Sequence, residues 1–168
     1  MQMAETGPVE RLQPFLLDRL TDDQPEKKLE SRDQRVISVR DLRKAILRDL
    51  AWLLNTGCHP ATDKFADYPE VAKSVLNYGM PSLSGLTASG VKPDAIEKSI
   101  RNAIQLYEPR VLKQQLQVKV IEPEDKDAPY VLQIEIRGEI WNLPMPEELF
   151  VRTAVDLDTG QWKLADSQ

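Results

Sequence analysis

The sequence holds one cysteine, Cys58, so no disulfide can close within the chain, which agrees with a reducing compartment. Its only histidine, His59, stands next to that cysteine. A zinc site would need carboxylates to complete the ligand set, and neighbours on an extended loop seldom face each other as a nucleophile and base must. No metal and no cofactor is expected. Glycine is sparse at 7 residues, and neither familiar Gly-rich phosphate loop occurs. Long apolar runs are missing too. The first 14 residues carry Glu5, Glu10 and Arg11 rather than a signal-peptide core, and no later run approaches a bilayer span, so a cytoplasmic chain without membrane insertion is expected. Positive charge is not in excess: the net charge is -5, which excludes a general attraction to nucleic-acid phosphates or anionic lipid and leaves room only for a local basic patch.

What remains is ordinary globular composition, with 41% hydrophobic and 29% charged residues in 168. That length suits one core. Residues 1–35 read as a polar arm and 36–168 as a single domain. Within the arm, Phe15, Leu16, Leu17, Asp18, Arg19 and Leu20 form a short amphipathic stretch between Pro14 and Pro25, followed over 21–35 by dense charge. About two helical turns fit there, too few to stand alone, so the stretch needs a surface to dock on, either a partner's or its own domain's.

Ser38, with Asp41 three residues on, signals a helix start, and Leu42, Ile46, Leu50 and Leu53 then recur at helical spacing, with Leu47 and Leu54 widening the stripe. A left-handed cap is expected at residues 55–57. A short helix over 70–77 should end at Gly79, and a third helix should open at Pro93 with Ile96, Ile100, Ala103, Ile104 and Tyr107 on one side. From Val111 the period becomes two: Leu116, Val118 and Val120, then Leu132, Ile134, Ile136 and Ile140, alternate with polar residues. Further strands are expected over 150–157 and 161–164, with a charged hairpin-type loop at 122–129 and a proline-marked turn at 142–146. About three helices followed by a small, mainly antiparallel sheet make an α+β fold.

Two features invite chemistry. Glu135 and Glu139 share a strand face, but about 13 Å of strand separates them, beyond the roughly 5–9.5 Å that a glycan hydrolase uses; Glu135, Arg137 and Glu139 read better as a solvated, alternating-charge face. Glu108 is the odd residue. Pro109 pushes it out of the helix at the last turn, where a carboxylate meets the negative pole of the helix dipole at a cost of about 0.3–1 kcal/mol. Arg110 is the local cation. The proline between them makes a stiff acid–base corner suited to bidentate pairing, within the protein or across an interface. No second carboxylate or histidine can be assigned beside Glu108 from the sequence, which speaks against catalysis there.

Residues 16–20, 38–57, 76–79, 100–112 with the Glu-Pro-Arg triplet, and 134–164, in that order, resemble the TssE subunits of type VI secretion baseplates, relatives of a wedge protein of contractile phage baseplates. The resemblance implies a structural, non-enzymatic role: membership of the baseplate wedge beside subunits of the TssF, TssG and TssK types, and a platform on which sheath subunits begin to polymerise. It implies that Glu108, Pro109 and Arg110 lie in the core of the sheath-initiating fold, and it places the baseplate at the inner face of the cytoplasmic membrane. Leu16, Leu17, Asp18, Arg19 and Leu20 are expected to anchor to other baseplate subunits. The alternatives are a peptidoglycan hydrolase, since some relatives carry a lysozyme-like label, and a free-standing adaptor.

Overall fold

The computed structural model describes residues 14–21, 25–26, 37–59, 67–85, 92–121, 130–141 and 145–166. The expected loop at 122–129, most of the charged run at 21–35, and residues 142–144 of the expected turn lie outside them.

Ser38 caps the first long helix as expected: its hydroxyl accepts the Asp41 N–H at 3.1 Å. This helix, α2 (Val39–Asn55), follows a single-turn α1 (Leu16–Leu20). Leu42, Ile46, Leu50, Leu53 and Leu54 of α2 are buried, each burial contributing about 1.5–3 kcal/mol. α2 does not end in a left-handed cap. Thr56 is extended, and Gly57 continues as a parallel bridge to Met80. The bridge replaces a cap by bonding the outgoing chain to a distant segment: Met80 N–H donates to the Thr56 carbonyl at 2.7 Å and Cys58 N–H to the Met80 carbonyl at 2.9 Å.

The helix expected over 70–77 is two pieces, α3 (Pro69–Ala72) and a 3-10 turn (Val75–Asn77). Ser74 divides them. Its extended backbone breaks the helix, and its hydroxyl recaps the next turn by accepting the Leu76 N–H. α4 (Pro93–Tyr107) buries Ile96, Ile100, Ala103 and Ile104.

Four strands, β1 (Gln117–Ile121), β2 (Val131–Ile140), β3 (Glu147–Asp156) and β4 (Trp162–Asp166), form an antiparallel meander in sequence order. The fold is α+β. Alternation sends Val118, Ile134, Ile136, Val151 and Val155 to one face, where they share a core with α2 and α4. Gly138 faces the same way, and a Cβ there would stand 3.2 Å from Val111 and 3.7 Å from Leu116, so the missing side chain lets the segment entering β1 cross close over β2.

Both sheet edges are partly covered by helix side chains. Glu97 of α4 accepts the outward N–H of Val120 on β1 at 2.9 Å. Asn55 at the end of α2 bonds both the N–H and the carbonyl of Trp162 on β4. Arg43 reaches the carbonyls of Glu148 and Phe150, where β3 runs beyond β4. Leu164 shares the outward direction of Trp162 by the two-residue alternation of backbone groups along a strand. No helix among the described residues is long and apolar enough to cross a membrane.

Candidate functional site

Glu108 closes α4: its N–H donates to the Ile104 carbonyl at 2.8 Å, and its backbone then leaves the helical region ahead of Pro109. The chain turns and locks onto the end of β2. Trp141 N–H donates to the Arg110 carbonyl at 2.7 Å, Leu112 N–H to the Glu139 carbonyl at 2.8 Å, and Val111 bridges Ile140. The Glu108 carboxylate folds back around the proline. Arg110 grips it with Nε and Nη2, one donor to each oxygen, while the Arg110 N–H also points at Oε1.

The pair is inside the protein, with Glu108 3% and Arg110 9% exposed. That distinction decides its weight, because an exposed pair contributes little whereas a buried charge stripped of its partner is strongly destabilising. Pro109 itself is exposed and acts through its backbone.

A third member comes from α2. Asp49 Oδ2 accepts from Arg110 Nη2 at 2.5 Å, and Asp49 Oδ1 accepts from Arg48 Nε at 2.9 Å. The sequence assigns no second carboxylate beside Glu108; the fold brings one from 61 residues away. Sequence held a signal for it. Asp49 falls three residues after Ile46 and four before Leu53, an acid in the stripe that faces the core. Burial pulls the Arg110 guanidinium down, but Glu108 and then Asp49 more than offset this and hold it above the ordinary arginine value. Burial raises the nearby Tyr78 phenol, helped by the charges of Asp49 and Glu108. The two carboxylates are not arranged as a hydrolytic pair. Hydrolysis needs room between them for sugar or water, and the Arg110 guanidinium fills that position.

α1 sits on this network. The Phe15 ring lies 4.5 Å from the Arg110 guanidinium, and Asp18 Oδ1 accepts from Arg48 Nη1 at 2.7 Å. One alternating chain of charge thus runs Asp18, Arg48, Asp49, Arg110, Glu108. Among the described residues Asp18 Oδ2 and Arg48 Nη2 are enclosed without a hydrogen-bond partner, so the outermost link is the least complete. No residue of α1 is buried, and Leu16, Leu17 and Leu20 are 72%, 45% and 73% exposed. The structure therefore joins Asp18 to Glu108 and Arg110, with Phe15 stacked on Arg110, and leaves Leu16, Leu17, Arg19 and Leu20 facing outward.

Cys58 and His59 lie in the bridge to Met80, where the His59 N–H donates to Asn77 Oδ1 at 3.0 Å and burial raises the Cys58 thiol. Among the described residues no group of three or more His, Cys, Asp or Glu is placed to hold a metal ion.

No curated protein and no solved structure matches the chain. A family model does, over residues 40–145: baseplate wedge protein gp25. The match takes in Asp49 and the Glu108–Arg110 corner and stops short of α1 on one side and of β3 and β4 on the other. Such baseplate wedge proteins are structural components of phage-tail-like assemblies that contact other baseplate proteins. With more than half its length matched, the chain belongs to the baseplate wedge protein gp25 family, the family of the TssE subunits.

Proposed function

We propose that the chain is a structural part of a type VI secretion, or contractile injection, baseplate, and that it starts sheath polymerisation by accepting extended segments of sheath subunits. Residues 36–168 are the wedge-like domain and 1–35 its arm. The protein works in the cytoplasm, in a baseplate docked at the inner face of the membrane, beside wedge subunits of the TssF, TssG and TssK types. One observation carries this reading: the buried Glu108–Arg110 corner is bonded to the end of β2 at Glu139 and Trp141, so the charge network sets the geometry of the sheet. A rigid small sheet with accessible edge groups is what strand addition requires.

Of the two edges, β4 at Leu164 is the better acceptor, since α4 packs along β1 and Glu97 already bonds its outward N–H. Leu164→Pro removes an outward N–H and leaves the bonded positions toward β3, Lys163 among them, in place. Sheath polymerisation on wedges carrying this variant should fail while the purified variant stays folded by circular dichroism. Normal polymerisation would rule out the β4 edge.

The exposed leucines of α1 support a second contact, with neighbouring wedge subunits. Leu16→Ser, Leu17→Ser and Leu20→Ser together remove no core contact, so wedge co-purification should drop sharply with melting temperature nearly unchanged. Full co-purification would leave α1 without that role.

A further inference from the structure

We infer that the outer face of the sheet is a docking surface for an acidic segment of another protein. α2 and α4 pack on the opposite face, and the outward side chains form cross-strand rows. The three central rows are Gln117–Arg137–Phe150, Lys119–Glu135–Arg152, and Ile121–Gln133–Ala154–Lys163. They carry Lys119, Arg137, Arg152 and Lys163 against one carboxylate, Glu135, in a chain whose net charge is -5. The remaining acids of the face stand at its two ends, Glu139 opposite Glu148 at one and Asp156 at the other. Glu135 has a cation directly across from it on each side, Lys119 and Arg152, as on a solvated face. The excess of cations is nevertheless central, and Glu139 and Glu148 are like charges placed directly opposite at the end, which a merely solvated face avoids.

The two arginines, Arg137 and Arg152, are held in place. Glu135 accepts from Arg137 at 2.9 Å and from Arg152 at 3.2 Å, and both guanidiniums stack on the Phe150 ring, at 4.8 and 5.7 Å. Each guanidinium nevertheless stays open to solvent, with its side chain 57% and 59% exposed. Because the forks are already oriented, less side-chain freedom is lost when a carboxylate arrives. A recess of about 150 Å³ lies between Gln117, Lys119, Glu135 and Arg137, and a second of about 380 Å³ is lined in part by Arg152, Ala154 and Lys163. Each offers room for a carboxylate side chain beside a cation.

The dimensions choose the partner. Three rows across four strands make a band about 14 Å on a side. A nucleic-acid backbone crossing it would run on into Glu139 and Glu148, or into Asp156. A short run of Asp and Glu side chains fits inside the band, and the end carboxylates fix where it lies.

Titration of the full chain with a fluorescein-labelled hexaglutamate peptide at low salt tests this, with amide shift mapping of the complex. Lys119→Glu with Lys163→Glu alters the band, and Lys44→Glu with Lys98→Glu alters the exposed sides of α2 and α4 by the same net charge. Binding should weaken by about tenfold or more in the band variant alone, with shifts concentrated at Lys119, Gln133 and Ala154. Absence of binding, equal weakening in both variants, or competition by duplex DNA of matched charge as strong as by unlabelled peptide would each overturn the inference.

Discussion

Arg110→Ala is expected to destabilise the chain by about 3–5 kcal/mol, the range for breaking a buried ion pair by removing one partner. Unfolding would read this as a fall in Tm of roughly 6–20 °C for a chain of this size. The reason lies in what stays behind. Glu108, 3% exposed, is left at the negative end of α4 with its guanidinium gone, and Asp49 loses one of its two cations. The Arg110 backbone would still bond Trp141, so the loss belongs to the side chain. A double variant, Glu108→Leu with Arg110→Met, should unfold at a higher temperature than Arg110→Ala, because no unpaired charge remains at the corner. If Arg110→Ala melted within about 0.5 kcal/mol of the parent, as surface substitutions do, the carboxylates would have to be reaching water and the corner could not be the closed element described above.

Arg110→Lys separates stability from geometry. Lysine keeps the charge but is a single point donor, so it cannot grip both oxygens of Glu108 and Asp49 together. A modest loss of stability with a large loss of sheath initiation would show that the fork, and the sheet geometry it sets, is what assembly uses.

Much of this was legible in the sequence where the signal is local. The stripe of α2, the proline starting α4, the period-two runs of β1 and β2, and Glu108 as the residue leaving the helix all follow from side-chain spacing and backbone rules. Long-range pairings were not legible. Asp49 stands out as an acid in the core-facing stripe of α2, but nothing local names Arg110 as its partner, and Phe15 is a generic aromatic until its ring covers the same guanidinium. Where a distant segment takes over a local function, a local rule misleads. Gly57 reads as a helix cap in the sequence, yet the polar groups around it bond across to Met80, and of Gly57 and Gly79 it is Gly79 that has the positive φ. The single helix expected over 70–77 failed for a smaller reason, because Ser74 competes for backbone bonds better than the helix does.

That exchange of roles between two glycines leads to a sharp contrast. Gly79→Ala should destabilise by about 3 kcal/mol or more, and Gly57→Ala should be neutral or stabilising by about 0.4–1 kcal/mol. At Gly79 the backbone has φ +125°, and a Cβ would come within 2.3 Å of the Thr56 carbonyl oxygen, 2.8 Å of its carbon and 3.0 Å of the Cys58 nitrogen. All three are backbone atoms, so no side chain can swing aside. The Thr56 oxygen is also the acceptor for Met80 N–H. Relief of the clash must therefore open the bridge that ends α2 and buries Met80, 3% exposed, in the core. Gly57 meets nothing within 4 Å and lacks the positive φ, so alanine there only restricts the unfolded chain. Denaturant unfolding of the two variants side by side checks both halves. Equal stability of Gly79→Ala and Gly57→Ala would mean that the bridge opens at little cost and that α2 is anchored at its far end by Asn55 and Trp162 alone.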